Sequence, residues 1–313
     1  NLSAQNKMLQ LPDINIRDPY ILAEQKSQTY YMYRSSSVKD DNGEVRGGVE
    51  VYKSKDLVNW EKPVRVFTVP ENNWITGVVW APEVHEYKGK YYLFATLNCD
   101  IKWKKSKENW PDYLFRGTQI FHSDSPEGPF LPFELTPHTP VDRMALDGTL
   151  WVEDGKPYMI YCHEWVQIVD GTMELVELSP DLSVPAGDPM TLFCASAAEW
   201  STGHTESLPV SYVTDGCFLY RTNTGKLLMI WSSFMHNEYA IGIAESVTGK
   251  VQGPWKQQQE PLFTKNGGHG MIFKTFDGKL CITFHQPNSP GGSERAYIFE
   301  LEDAGHTLKL KNK

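Results

Sequence analysis

Three aspartates and a histidine in this chain each open the same local pattern, a polar residue followed by Pro or Gly and then an apolar run. The four copies read Asp18-Pro19-Tyr20-Ile21, Asp147-Gly148-Thr149-Leu150, Asp215-Gly216-Cys217-Phe218 and His269-Gly270-Met271-Ile272, and Ala81-Pro82-Glu83-Val84 is a fifth, uncharged copy. Carboxylates gathered in a partly desolvated site raise the pKa of at least one of them, because like charges cannot all ionise cheaply there. A protonated carboxyl can then donate to a leaving oxygen while an ionised one activates water on the opposite face, which is the chemistry of glycosidic hydrolysis. No Ser or Cys nucleophile constellation, phosphate loop or metal cage competes with that reading. Any one Asp before Gly or Pro can simply cap a turn. Three in one register argue for a shared cavity.

The elements that must position these residues are hairpins. Four of the five units reach a Gly-Lys turn (Gly89-Lys90, Gly155-Lys156, Gly225-Lys226, Gly278-Lys279) and then a second apolar strand. Third strands follow at Gly48 to Tyr52, Gly117 to Phe121, Gly171 to Leu175, Tyr239 to Ile243 and Arg295 to Phe299, and fourth strands are expected near Trp60, Pro129 and Trp255. The unit recurs roughly every 54–68 residues, a period that suits a four-stranded propeller blade with loops. The expected fold is one all-β domain over residues 1–313, a five-bladed β-propeller of four-stranded antiparallel sheets around a central channel. The unit starts collect at the channel's mouth, and the insertions around Trp103 to Tyr113 and Cys194 to Tyr212 are expected as loops over a face.

The 313 residues carry a formal net charge of −9, which repels polyanions, so nucleic acid is not an expected partner. No run of eighteen apolar residues offers a membrane span. Five scattered cysteines without a CxxC pair read as buried free thiols. The start Asn1-Leu2-Ser3, without an initiator Met, suggests a trimmed export signal and a secreted or periplasmic location. The chain is expected to act as a monomer on an oligosaccharide or polysaccharide. Sugar rings stack on aromatic faces, which nominates Trp80, Trp151, Trp165, Trp231 and Phe234 near the unit starts. His163-Glu164-Trp165 and His285 end second strands and are candidates for subsite or supporting roles, and Arg295 offers a planar fork to sugar hydroxyls.

Arg17-Asp18-Pro19, Trp80-Ala81-Pro82-Glu83-Val84, Leu146-Asp147-Gly148, a later acidic-Gly start and Gly268-His269-Gly270 together resemble the pattern of glycoside hydrolase family 43, in order and over nearly the whole chain. The resemblance implies a five-bladed propeller that hydrolyses arabinose- or xylose-containing plant glycans with inversion. It matches the general base to Asp18 and the auxiliary carboxylate, which tunes the acid, to Asp147. The family usually has Glu before Gly-Pro at the fourth start, where this chain has Asp215-Gly216-Cys217. Asp is one methylene shorter, about 1.5 Å, and misplacement of that order can cost ~100-fold in rate. Asp215 and Glu206 therefore both stand as candidates for the acid, with Glu199 a weaker third. The resemblance also places His269 in the channel, where it would contact an ordered water or a cation such as a structural calcium; the chemistry itself requires no cofactor. Two other readings are a carbohydrate-binding propeller whose hydrolysis has lapsed and a β-fructosidase-type propeller, though the latter lacks its Asn-rich Asp motif and Glu-Cys acid here.

Overall fold

A computed structural model describes residues 7–311. Twenty strands form five four-stranded antiparallel sheets, each in sequence order from the centre outward. Blade 1 holds β1 (Tyr20–Glu24), β2 (Thr29–Lys39), β3 (Val45–Ser54) and β4 (Val64–Thr68). Blade 2 holds β5 (Val79–Tyr87), β6 (Lys90–Lys104), β7 (Tyr113–Ser123) and β8 (Leu131–Pro132). Blade 3 holds β9 (Ala145–Glu153), β10 (Lys156–His163), the one-turn helix α1 (Trp165–Ile168), β11 (Thr172–Glu177) and β12 (Met190–Cys194). Blade 4 comprises β13 (Asp215–Arg221), β14 (Leu227–Met235), β15 (Glu238–Ser246) and β16 (Trp255–Gln257). Blade 5 comprises β17 (Gly268–Lys274), β18 (Leu280–Gln286), β19 (Arg295–Asp303) and β20 (Leu308–Leu310). The architecture is the expected five-bladed propeller.

The turn chemistry explains the regularity. Gly89, Gly155, Gly225 and Gly278 all take left-handed φ between 77° and 86° with open space around them, so it is backbone conformation that selects glycine there. The second strands β10, β14 and β18, and the first halves of the longer β2 and β6, are almost continuously buried because each is covered on both faces by neighbouring blades. The cores lie between blades, as where Trp231, fully buried, packs on Trp200 and Phe193 with ring centroids 5.0 and 5.3 Å away.

Closure joins the first blade to the last without a shared strand. The stretch before β1 runs along blade 5: the Ile16 amide donates to the Glu294 carbonyl (3.2 Å) and Arg295 Nε to the Pro12 carbonyl (2.7 Å). Two boundaries differ from expectation. The fourth strand of blade 1 begins at Val64, because Trp60 is buried in isolated bridges to Leu9 and Ser54. Part of the Trp103–Tyr113 insertion is a strand extension, since β6 continues to Lys104 before the loop. All five cysteines are free, and no described helix is long and apolar enough to cross a membrane. The Asn1-Leu2-Ser3 start lies outside the described residues.

Candidate active site

In four blades the innermost strand carries the same β-bulge. Trp80 pairs with Thr96, Leu146 with Cys162, Asp215 with Ser232 and Gly268 with His285, and each inner strand then spends one residue more than its partner before pairing resumes. The first bulged residue takes a left-handed φ: Ala81 (42°), Asp147 (58°), Gly216 (53°) and His269 (57°), with Asp18 (50°) in the same place on blade 1. Asp and His tolerate this region better than most residues. The conformation turns these side chains toward the channel.

The bulge corrects the register expected for blade 4. The residue equivalent to Asp18, Asp147 and His269 is Gly216, and Asp215 sits one position earlier, level with Trp80 and Leu146. Glycine is required at that point because a Cβ on Gly216 would lie 2.8 Å from the His269 Cα and ring. A shorter carboxylate therefore faces the cavity from a position of its own.

Inter-blade hydrogen bonds at four of the five blade junctions hold this ring. The residue opposite the last paired position accepts the amide of the next blade's bulged residue: Thr96 Oγ1 from Asp147 (2.8 Å), Ser232 Oγ from His269 (2.8 Å) and His285 Nδ1 from Asp18 (3.1 Å). Blade 3 offers Cys162 at this place, a weak acceptor. There the Gly216 amide donates instead to Asp147 Oδ2 (3.0 Å), so blade 4 orients the blade 3 carboxylate.

A cavity of about 330 Å³ opens over the ring, and Asp18, Asp147, Asp215 and His269 line it together with Arg17, Trp80, Glu164, Trp165, Phe234 and Tyr239. Inside it the three aspartates have different electrostatic fates. Burial alone would raise the Asp18 carboxyl, but the His269 charge, with Nδ1 3.1 Å from Asp18 Oδ1, holds it well below the usual carboxylate range. Burial pushes Asp147 up to about 6 despite His269 at 3.7 Å, with the Asp18 charge adding to the rise. Burial, then the Asp147 charge, drives Asp215 up to about 7, while a 3.0 Å hydrogen bond donated by the Tyr239 hydroxyl restrains it. Burial disfavours charge on His269, yet the Asp18 and Asp147 carboxylates outweigh it and lift the imidazole to about 10. The site thus sets an ionised carboxyl and one close to half-protonated around one space at neutral pH, an arrangement able to work as a base and an acid at once.

Several sequence candidates lie elsewhere. Glu206 is exposed on the loop between blades 3 and 4 and does not line the cavity. Glu199, also exposed, borders a separate surface cavity beside Trp255 and His306. Trp231 belongs to the inter-blade core, and Trp151 packs under Arg221 at a guanidinium-to-centroid distance of 5.7 Å. Arg295 makes the closure contact with Pro12 and does not line the acidic cavity. His163 is buried behind the cavity wall, its Nε2 2.7 Å from Gln167 Oε1, and His285 supports Asp18 from beneath. His269 sits in the channel as expected, its Nδ1 3.1 Å from Asp18 Oδ1 and 3.7 Å from Asp147 Oδ2. The described residues contain no cluster of three His, Cys, Asp or Glu side chains able to hold a metal.

Arg17, His204 and Tyr239 also line the cavity and are not among the residues nominated from the sequence. Arg17 and Tyr239 flank quoted motifs, but nothing in a single sequence distinguishes a cavity-facing tyrosine of β15 from a core one.

Acids gathered at the channel mouth of a five-bladed propeller fit a glycoside hydrolase. The chain belongs to the glycosyl hydrolases family 43, whose family model matches residues 13–300. An endo-arabinase structure from Bacteroides thetaiotaomicron VPI-5482 is 38% identical with a TM-score of 0.82, covering 95% of this chain and 98% of that one. The extracellular exo-alpha-(1->5)-L-arabinofuranosidase ArbA of Cellvibrio japonicus is 24% identical, over 87% of this chain and 79% of its own length. An endo-1,4-beta-xylanase structure from Bacteroides thetaiotaomicron shares the fold, at 21% identity and a TM-score of 0.74 over 99% and 97% of the two chains.

Proposed function

We propose that this enzyme cleaves α-L-arabinofuranosyl or β-D-xylosyl linkages in plant cell-wall polysaccharides or their oligosaccharides, with inversion. Asp18 acts as general base on the attacking water, Asp215 as general acid on the leaving oxygen, and Asp147 as the auxiliary carboxylate that keeps Asp215 protonated. The observation that carries the reading is the split between two identical side chains in one cavity, one held ionised by His269 and the other driven up to about 7. Water has a deprotonated acceptor on one side, and the glycosidic oxygen has a proton donor on another.

A lapsed, binding-only propeller was suggested by the short acid at the fourth start. The place of Asp215 in the cavity beside Asp147, where burial and that charge push its carboxyl up to about 7, favours a working acid instead. Arabinose-containing substrates are favoured over xylose-containing ones by the likeness to an endo-arabinase and an arabinofuranosidase. The extracellular name of the latter supports a secreted location. The test is hydrolysis of aryl α-L-arabinofuranoside, aryl β-D-xyloside, arabinan and xylan, with the first-formed anomer read by proton NMR. Turnover with inverted anomeric configuration is expected. A retained anomer, or saturable binding without turnover, would overturn the proposal.

A further inference from the structure

Blades 2 and 4 hold the next blade's bulged amide with a hydroxyl, from Thr96 and Ser232, whereas blade 5 holds that of Asp18 with an imidazole. The difference matters chemically. A hydroxyl always has a lone pair to offer, but a neutral imidazole accepts at one nitrogen and donates at the other. His285 Nδ1, 3.1 Å from the Asp18 amide nitrogen, can accept only when the ring carries its proton on Nε2. Nδ1 also lies 3.3 Å from Asp18 Oδ1, but that oxygen has a donor of its own in His269, whose Nδ1 is 3.1 Å away.

Asn288 decides which nitrogen of His285 holds the proton. It follows β18, and its side-chain Oδ1 stands 3.0 Å from His285 Nε2. The two ends of an amide have the same shape, so a neighbour of unambiguous chemistry must tell them apart. Arg17 does so. Its Nη2 is 2.5 Å from the same Asn288 atom, and a guanidinium has donors alone, so that atom must be the oxygen. The oxygen in turn requires a proton on Nε2, which leaves Nδ1 bare for the Asp18 amide. Arg17 is itself anchored, because its Nη1 donates to the Asn288 carbonyl and to Glu294 Oε1, both at 3.1 Å, and Glu294 is buried just before β19. The His285 ring is fully buried and stacked on Tyr239, with centroids 5.7 Å apart, which fixes its plane.

We propose that Asn288 is a positioning residue for the general base: its oxygen, oriented by Arg17, sets the tautomer of His285, and that tautomer holds the Asp18 amide and with it the left-handed turn that aims the carboxylate. The inference rests on the hydrolytic reading above and adds to it the group that keeps the base in place. Asn288 does not line the acidic cavity, so it acts on the reaction through His285 and Asp18.

The tautomer is read by nuclear magnetic resonance on protein labelled with nitrogen-15 at histidine, the His285 signals being identified by their loss in His285→Gln. In the unaltered enzyme at neutral pH, Nε2 should carry the proton and Nδ1 should be bare; a proton on Nδ1 with Nε2 bare would overturn the proposal whatever the variants do. Asn288→Leu keeps the size of the side chain and removes the acceptor, while the backbone carbonyl at 288 and Glu294 still hold Arg17. It should shift His285 toward the form protonated on Nδ1 and lower kcat about tenfold, with KM changed by less than about twofold. Asn288→Asp keeps an oxygen at that place and should restore both the Nε2 proton and most of kcat. If Asn288→Leu does not fold, Asn288→Ala carries the same expectation. In an active enzyme, a fall in kcat without a change of tautomer, or a change of tautomer without a fall in kcat, would overturn the proposal. Absence of turnover in the unaltered enzyme, with the tautomer still answering to Asn288→Leu, would strike the hydrolytic reading and leave the hydrogen-bonded chain to Asp18 standing.

Discussion

The starts of blade 1 and blade 4 place the same amino acid at the same cavity under opposite conditions. Asp18 sits in the ring on a left-handed backbone, with the His269 cation beside its carboxylate and His285 under its amide. Asp215 sits one residue before the ring, paired with Ser232, with the Asp147 carboxylate as its chief charged neighbour and a tyrosine hydroxyl as its partner. One is held ionised and the other close to half-protonated at neutrality, and the difference lies in which neighbour each meets. Function in this cavity is assigned by position relative to His269 and Asp147, and residue type alone does not assign it.

The comparison breaks most severely at Asp18. Asp18→Asn should reduce kcat by on the order of 10²–10⁴-fold while sugar affinity persists, checked by steady-state kinetics beside calorimetry. Loss of binding to the same extent as loss of turnover would contradict its assignment as base. In the unaltered enzyme kcat/KM should fall as pH rises through about 7, when Asp215 loses its proton, and the acidic limb should lie below the usual carboxylate range because Asp18 is depressed.

Asp147→Asn removes the charge that helps raise Asp215, so the acid's pKa must drop and the alkaline limb must move to lower pH, with about a tenfold loss of kcat/KM at neutral pH. Tyr239→Phe works in the other direction. The lost hydrogen bond had favoured the charged carboxylate, so the alkaline limb should move to higher pH with a loss of only a few-fold at its optimum. Limbs moving the same way in both variants would sever Asp215 from the profile. Glu206→Gln, on an exposed loop, should change kcat/KM by less than about twofold.

The propeller was legible because its units are local: each hairpin carries its own Gly-Lys turn and its own Pro or Gly after the inner residue, and Asp18, Ala81, Asp147 and His269 declare the ring directly. Blade 4 hides its register by one residue because Asp215-Gly216 mimics Asp147-Gly148 in composition. The distinction appears only in pairing, where Asp147 is bulged and Asp215 is paired. Trp231 and Arg295 misled for a related reason, since large aromatics and arginines serve inter-blade cores and ring closure as readily as sugars. Arg116 left no local signal at all. Its partners Asn98 and Trp80, 18 and 36 positions away, meet it when the strands of blade 2 pair, and Glu164, 48 positions away, when blade 3 lies alongside.

The division of labour between Asp18 and Asp215 is tested most directly by varying the leaving group. Asp18→Asn and Asp215→Asn should be compared on aryl glycosides whose phenols span a wide range of acidity, with kcat/KM measured for each. The account predicts that Asp215→Asn recovers toward the unaltered enzyme as the phenol becomes more acidic, because a good leaving group no longer needs a proton, whereas Asp18→Asn stays impaired throughout. Recovery of Asp18→Asn, or an impairment of Asp215→Asn that ignores the leaving group, would contradict it.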